Sequence, residues 1–244
     1  MLDESAKGVF TIAATPFLPD GALDTESLDT MTDFYMEKGA TGLTILGIMG
    51  EAGKLSASES ATVIERICAR ATVPVIVGVS APGFAQIEAT TEVAMAKGAA
   101  GVMVAPPSSL RTDAQITGYY RTLGERLGDI PWVSQDFPLV TGVQIDPKVI
   151  LQIVKDNSAC VMLKHEDWPG LEKIAALRAA SDAGSRRISI LCGNGGQFLL
   201  EEMIRGADGA MTGFAYPEMM RDVTTLMSAG DETAARDIFD AYLP

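Results

Sequence analysis

The chain has 244 residues, of which 47% are hydrophobic and 21% are charged, and its formal net charge at pH 7 is −13. This length and composition are typical of a globular protein with a sizeable core, either one barrel or two small domains. So acidic a surface repels nucleic acid and anionic membranes, which argues against both partners and leaves a small-molecule substrate.

Cysteine and histidine are too sparse for a disulfide framework or a metal centre. Cys68, Cys160 and Cys192 lie far apart in the sequence, and His165 is the one histidine. We therefore expect no metal site, and we expect the cysteines to be small buried residues in a reducing compartment. The sequence shows neither a basic-then-apolar leader nor an apolar run of about 20 residues, so we expect a cytoplasmic protein.

Short apolar runs alternate with longer amphipathic segments along the chain. Each run predicts a strand and each segment a helix, in the order 9–15 and 25–38, 42–47 and 57–71, 75–80 and 86–97, 101–105 and 113–127, 132–135 and 147–156, 160–164 and 171–181, 188–192 and 197–205, and 209–213 and 218–227. A last helix is predicted over 231–243. Strands that are apolar throughout suit a parallel sheet covered by helices.

A weak internal repeat favours a closed barrel. The segments 38–42, 97–101 and 205–209 each place a basic residue and a glycine at a helix end, directly before a predicted strand. Equal units repeated eight times predict a (β/α)8 TIM barrel, with residues 1–244 as a single domain. A doubly wound open sheet is the alternative, but its Gly-rich nucleotide loop is missing after the first strand.

In a β/α barrel the chemistry lies where the strands end. The turn after the second strand is framed by glycines, which allow backbone N–H groups to approach a carboxylate, although it is also compatible with an ordinary strand-to-helix turn. The glycine-rich turn after the seventh strand offers a similar approach, and it is equally compatible with an ordinary turn. The predicted substrate-binding residues are Gly47, Ile48, Met49, Gly50, Glu51, Gly193, Asn194 and Gly213.

Lys164 closes the apolar sixth strand. An amine that faces the barrel interior loses hydration, which lowers its pKa and leaves more of it as a free nucleophile, whereas the alternative is a lysine that reaches out to solvent. Since strand side chains alternate, His165 should then point outward, which favours a packing or capping residue over a base. Glu166 should return to the face of Lys164 if the strand continues, either as an acid/base partner or as a solvated loop carboxylate. At the end of the fifth strand, either Gln135 or Asp136 should face the barrel mouth.

The chain resembles the dihydrodipicolinate synthase / N-acetylneuraminate lyase family of class I aldolases. The resemblance rests on the lysine that closes the sixth strand and on three motifs: Thr15-Pro16-Phe17, Gly47-x-x-Gly50-Glu51 and Ala207-Asp208-Gly209-Ala210. It implies that Lys164 binds the ketone carbon of a pyruvate-like substrate and that the turn 47–51 holds its carboxylate. It also implies that no cofactor takes part and that the protein is a homo-oligomer, either a dimer or a tetramer.

Several positions depart from the lysine-synthesis members of that family. Ile48 and Met49 stand where those enzymes have threonines, Gln135 where they have a catalytic tyrosine, and Ser108 and Val140 near their second tyrosine and their arginine for a distal carboxylate. Dihydrodipicolinate synthesis is therefore disfavoured. The Gln-Asp-x-Pro pattern and the glutamate two residues after the lysine resemble 2-keto-3-deoxy sugar acid dehydratases instead.

We therefore expect a Schiff-base lyase, an aldolase or a dehydratase, that acts on pyruvate or a 2-keto-3-deoxy sugar acid. Its predicted catalytic residues are Lys164, Gln135, Glu166 and Asp136. A condensation of the 4-hydroxy-tetrahydrodipicolinate synthase type, a non-catalytic 2-keto acid binding barrel and a degenerate fragment are the alternatives. Family members usually continue beyond the position of Pro244 with further helices, so we expect the C-terminal helical extension to be largely missing.

Overall fold

The computed structural model describes residues 1–168 and 170–243, in which eight parallel strands form a closed barrel. Each strand pairs with the next one along the chain, and the last pairs with the first. The strands β1 to β8 are Gly8–Ile12, Gly42–Ile45, Val75–Gly78, Gly101–Val104, Trp132–Asp136, Cys160–His165, Ser189–Cys192 and Gly209–Thr212. The predicted (β/α)8 barrel is therefore confirmed.

Helices follow the strands and form the outer layer. In chain order, α1 to α10 are Thr25–Glu37, Ala57–Arg70, Phe84–Ala96, Asp113–Leu127, Pro138–Thr141, Pro147–Asp156, Leu171–Asp182, Leu199–Ile204, Pro217–Ser228 and Glu232–Ala241. Side-chain caps fix several of their starts. Ser56 and Glu59 form a capping box before α2, and Thr112 and Gln115 form another before α4.

Several of the sequence predictions for the elements needed correction; β1 ends at Ile12 and not at residue 15, and β3 ends at Gly78 and not at residue 80. The short helix α5 was missed, because four residues are too few for a helical period and its start is set by the fixed φ of Pro138. Strand β2 ends two residues before its predicted end, since Leu46 adopts a φ of 53° that takes the chain out of the sheet. This early exit frees the turn that follows β2 to lie over the barrel mouth.

Two apolar clusters show which way the strand side chains point. The smaller cluster contains no helix residue, so it fills the barrel interior; its members include Phe10, Ile76, Met103 and Met162. The larger cluster joins the outward strand side chains, such as Leu163, to the helices. Because Met162 is internal and Leu163 external, the alternation of β6 directs Lys164 into the barrel.

No helix within the described residues is long and apolar enough to cross a membrane.

Candidate active site

A cavity of 230 Å³ opens where the strands end. β5 and β6, the turn after β2 and the ends of β7 and β8 all contribute to it. Its lining consists of Ile12, Ile48, Met49, Gln135, Phe137, Lys164, Glu166, Asn194, Gly195, Thr212 and Gly213. The mouth of the barrel therefore holds the concave site that its fold class predicts.

Lys164, Glu166 and Gln135 form a hydrogen-bonded chain inside this cavity. Lys164 Nζ lies 3.1 Å from Glu166 Oε1, and Gln135 Nε2 donates to Glu166 Oε2 at 2.7 Å. All three residues are at most 5% exposed. The chain joins an amine that can act as a nucleophile, a carboxylate that can move protons and an amide that cannot titrate.

The register of the sheet brings these three side chains together. Gln135 of β5 lies opposite Lys164 of β6, so both point inward at the same height, and Glu166 returns to that face two residues later. The Asn194 side-chain amide donates to the Glu166 carbonyl oxygen at 3.1 Å. The strand end that carries Glu166 is thereby held by the loop after β7.

Burial lowers the pKa of Lys164. Loss of hydration lowers the pKa of its amine below that of a free lysine, while the neighbouring Glu166 carboxylate raises the pKa and offsets part of that shift. A lower pKa increases the fraction of uncharged amine at neutral pH. The environment therefore favours nucleophilic attack by Lys164.

The turn after β2 contributes to the cavity through Ile48 and Met49. Among the described residues, the backbone N–H groups of Ile48, Met49 and Gly50 donate no hydrogen bond to protein acceptors, which leaves them free for an anion. The Thr15 hydroxyl donates to the Gly50 carbonyl oxygen at 2.6 Å and holds the turn against the first strand's end. This hydrogen bond is a structural reason for the threonine of the Thr15-Pro16-Phe17 motif.

Three other residues of that turn lie outside the lining, contrary to expectation. Gly47 and Gly50 pack against neighbouring residues of the same chain. The side chain of Glu51 turns away to Lys54, with Oε2 and Nζ 2.5 Å apart. Glu51 adopts a left-handed φ of 56°, which ends the turn and directs this carboxylate towards solvent.

Gly193 also differs from its expected role. It does not line the cavity; a Cβ atom there would lie 2.1 Å from Glu166 Cγ. Glycine at this position therefore makes room for the Glu166 side chain and not for a ligand. Asn194 and Gly213, two of the predicted substrate-binding residues, line the cavity together with Gly195 and Thr212. The Gly195 backbone N–H donates to Thr212 Oγ1 at 2.8 Å.

Asp136 is placed away from the cavity, which corrects its prediction as a catalytic residue. Because Gln135 points inward, Asp136 points out into the layer between barrel and helices, where Lys173 Nζ donates to its Oδ2 at 2.7 Å. Burial raises the pKa of Asp136, and Lys173 opposes this shift. His165 also points outward as predicted, with Nδ1 2.8 Å from Glu202 Oε1.

Removing the cation from the Asp136 pair should destabilise the fold. Lys173→Met leaves the fully buried Asp136 without a partner, and breaking a buried pair in this way costs about 3–5 kcal/mol. The free energy of unfolding from urea titration measures the loss. Lys148→Met is the matched control, since its pair with Asp113 is exposed and should contribute about 1 kcal/mol or less. Equal effects of the two changes would contradict the prediction.

The sequence predictions missed four lining residues, Ile12, Phe137, Gly195 and Thr212. Alternation along β1 predicts an inward side chain at Ile12, because Phe10 belongs to the interior cluster. No comparable signal marks Phe137 or Thr212, since each stands where its strand gives way to a loop. Of the five positions that depart from the lysine-synthesis members, Ser108 and Val140 lie outside the lining, and the other three belong to it.

Comparison with known proteins shows the family of the chain. The sequence profile of the Dihydrodipicolinate synthetase family matches residues 5–244. A dihydrodipicolinate synthase structure from Rhodopseudomonas palustris superposes with a TM-score of 0.97 at 57% identity, over 100% of this chain and 82% of that one.

Two relatives match at lower identity. The 4-hydroxy-tetrahydrodipicolinate synthase of Xanthomonas campestris is 29% identical over 95% of this chain and 76% of its own length. The L-2-keto-3-deoxyarabonate dehydratase of Azospirillum brasilense is 28% identical over 98% and 78%. The resemblance read from the sequence is thus confirmed: the chain belongs to the dihydrodipicolinate synthetase family and is a class I enzyme, one that works through a lysine Schiff base.

Proposed function

We propose that Lys164 is the Schiff-base lysine and that the enzyme is a lyase for 2-keto-3-deoxy acids. The observation that carries this proposal is the buried Lys164 amine, 3.1 Å from the Glu166 carboxylate, in a cavity with no other cation among its lining residues. The free N–H groups of Ile48 and Met49, which both line the cavity, are suited to the substrate carboxylate. The dehydratase of Azospirillum brasilense is a relative that acts on a substrate of this kind.

The proposed reaction begins with attack of the Lys164 amine on the C2 ketone. The resulting carbinolamine loses water to give an iminium, and Glu166 takes a proton from C3 to give an enamine. The electron pair of the enamine then expels the C4 hydroxyl, which leaves as water with the proton that Glu166 returns. Water finally hydrolyses the iminium and releases Lys164.

Aldol cleavage uses the same two groups in another order. Glu166 takes the proton of the C4 hydroxyl, the C3–C4 bond breaks, and its electrons move to the iminium to form the enamine of pyruvate. The aldehyde leaves, and C3 is protonated by Glu166 before water releases the product. We favour dehydration, because the Gln135–Glu166 hydrogen bond joins the two residues that distinguish the dehydratase-like sequences.

The function is tested with a 2-keto-3-deoxypentonate as substrate and mass detection of products. A product lighter by one water supports dehydration, while pyruvate and a two-carbon aldehyde support cleavage. Condensation of pyruvate with aspartate semialdehyde, without loss of the pentonate, would overturn the proposal in favour of the synthase reaction.

The pH dependence of Schiff-base formation should follow the Lys164 amine. The uncharged amine attacks, so labelling by pyruvate and cyanoborohydride should rise with pH, with a midpoint below the value of about 10.4 for a free lysine. Because the Glu166 charge raises the pKa of Lys164, Glu166→Gln should move the midpoint to lower pH still. Initial labelling rates by intact-protein mass spectrometry measure both midpoints, and a midpoint that moves upward in the variant would contradict the assignment.

We also propose that the enzyme is a cytoplasmic homo-oligomer. Leu139 and Val140 project from α5 with 72% and 55% exposure, an apolar pair suited to contact with another copy, and the three free cysteines suit a reducing compartment. Light scattering during size exclusion tests the subunit number, and a monomer would refute the oligomer.

A further inference from the structure

We infer that the enzyme selects 2-keto acids that carry a single carboxylate and an uncharged distal half. The distal half means the atoms beyond C4, on the side of the substrate away from Lys164. This inference rests on the proposed function, because it assumes that Lys164 binds the C2 ketone. Its selecting residues are Ile48, Met49 and Phe137, which we call the apolar rim.

The charges of the cavity exclude a second carboxylate. Among the lining residues Lys164 is the one cation, and its nitrogen is committed to the ketone. Glu166 is the one anion and would repel a further carboxylate. A carboxylate that leaves water without a cation or sufficient hydrogen-bond donors pays several kcal/mol of desolvation. A dicarboxylate substrate would therefore bind with one end unpaired.

The apolar rim offers van der Waals contacts to the distal half of the substrate. Ile48 and Met49 follow β2 and are 50% and 45% exposed, while Phe137 follows β5 directly after Asp136. The Met49 side chain crosses the mouth to β8, where a Cβ atom on Gly213 would lie 2.2 Å from its Cε. Gly213 thus allows a flexible thioether to cover the entrance, and a side chain of this kind adapts to small apolar groups.

The size of the cavity sets an upper bound on the distal half. Pockets for drug-sized ligands have volumes of about 300–1,000 Å³. The cavity here is smaller, at 230 Å³. A five-carbon acid is therefore a more suitable probe than a long sugar acid.

Three five-carbon acids that share their first four carbons test the selection. Each is a 4-hydroxy-2-keto acid, and C5 is a methyl group, a hydroxymethyl group or a carboxylate. The protein is incubated with each acid and borohydride, and the initial rate of labelling at Lys164 is read by peptide mass. Adducts of the intact acid, of the dehydrated acid and of pyruvate are counted together. Pyruvate is run in parallel as the test of Schiff-base formation itself.

The expected result is labelling by the methyl and hydroxymethyl acids at least about 10-fold faster than by the dicarboxylate, a ratio that corresponds to about 1.4 kcal/mol. If pyruvate labels Lys164 but the dicarboxylate reacts as fast as the neutral acids, the selection is refuted and the proposed function stands. If pyruvate labels Lys164 but neither neutral acid does, the selection and the proposed activity on the pentonate are both refuted, and only the Schiff-base role of Lys164 stands. If pyruvate itself gives no adduct on the folded protein, the proposed function fails and the inference fails with it.

A charge introduced at the rim should change the preference. Ile48→Arg places a cation at the cavity, so labelling by the dicarboxylate relative to the methyl acid should rise at least about 10-fold. Ile204→Arg is the matched control, because Ile204 is a comparably exposed isoleucine at the end of α8 and outside the cavity lining. A ratio that is unchanged in Ile48→Arg, or that rises equally in both variants, would contradict the assignment of the rim.

Discussion

Lys164→Ala is expected to abolish Schiff-base formation and to lower turnover by about 10⁴-fold or more, because it removes the nucleophile on which each later step depends. No adduct with pyruvate and borohydride should form at any lysine of this variant. Turnover of the 2-keto-3-deoxypentonate and intact-protein mass after trapping measure the two losses.

Two further variants separate this loss of chemistry from a loss of structure. Lys164→Arg keeps a positive charge beside Glu166 but cannot form an iminium with a ketone, so it should fold and remain inactive. Lys148→Ala removes a lysine that is exposed on α6 and should react like the wild type. A Lys164→Ala enzyme that retained wild-type turnover would disprove the mechanism.

Glu166→Gln is expected to lower turnover by about 10²–10⁴-fold, the usual contribution of a positioned acid/base group. The amide keeps the shape of the side chain but cannot carry protons between C3 and the leaving hydroxyl. Trapping with pyruvate should persist, because Lys164 remains in place. Glu166 is the one titratable side chain besides Lys164 in the cavity lining, so no other lining residue can replace it as the acid/base group.

The steady-state kinetics of this variant show whether the effect is chemical. The loss should fall on kcat with a smaller change in KM, since the proton transfers belong to the reaction steps. Glu125→Gln, the same change at an exposed position on α4, should leave both constants unaltered. Wild-type kcat in Glu166→Gln would remove Glu166 from the mechanism.

The alternation of strands made much of this site predictable from the sequence. The apolar run that ends in Lys164 predicts β6, and a period of two then predicts an outward His165 and an inward Glu166, as the structure has them. The same rule could not decide between Gln135 and Asp136. That choice depends on the register between β5 and β6, which pairs Gln135 with Lys164 and is a property of the closed sheet.

Other features depend on contacts that no local pattern encodes. Position 193 requires a glycine because the Glu166 side chain, which follows a different strand, passes next to it. The outward turn of Glu51 follows from the left-handed backbone at that residue, and the exposed Lys54 gives it a partner. The inward position of Phe137 depends on how the chain leaves β5 before α5. Strand ends and loops are therefore where prediction from the sequence stopped.

The most direct test of Lys164 as the Schiff-base residue is borohydride trapping of the wild-type protein with pyruvate, followed by peptide mapping. We expect a single reduced adduct, located on Lys164, although the exposed lysines outnumber it and are more accessible. A stable adduct on another lysine, or no adduct on protein with a sharp cooperative melt, would contradict the assignment of Lys164 as the Schiff-base residue.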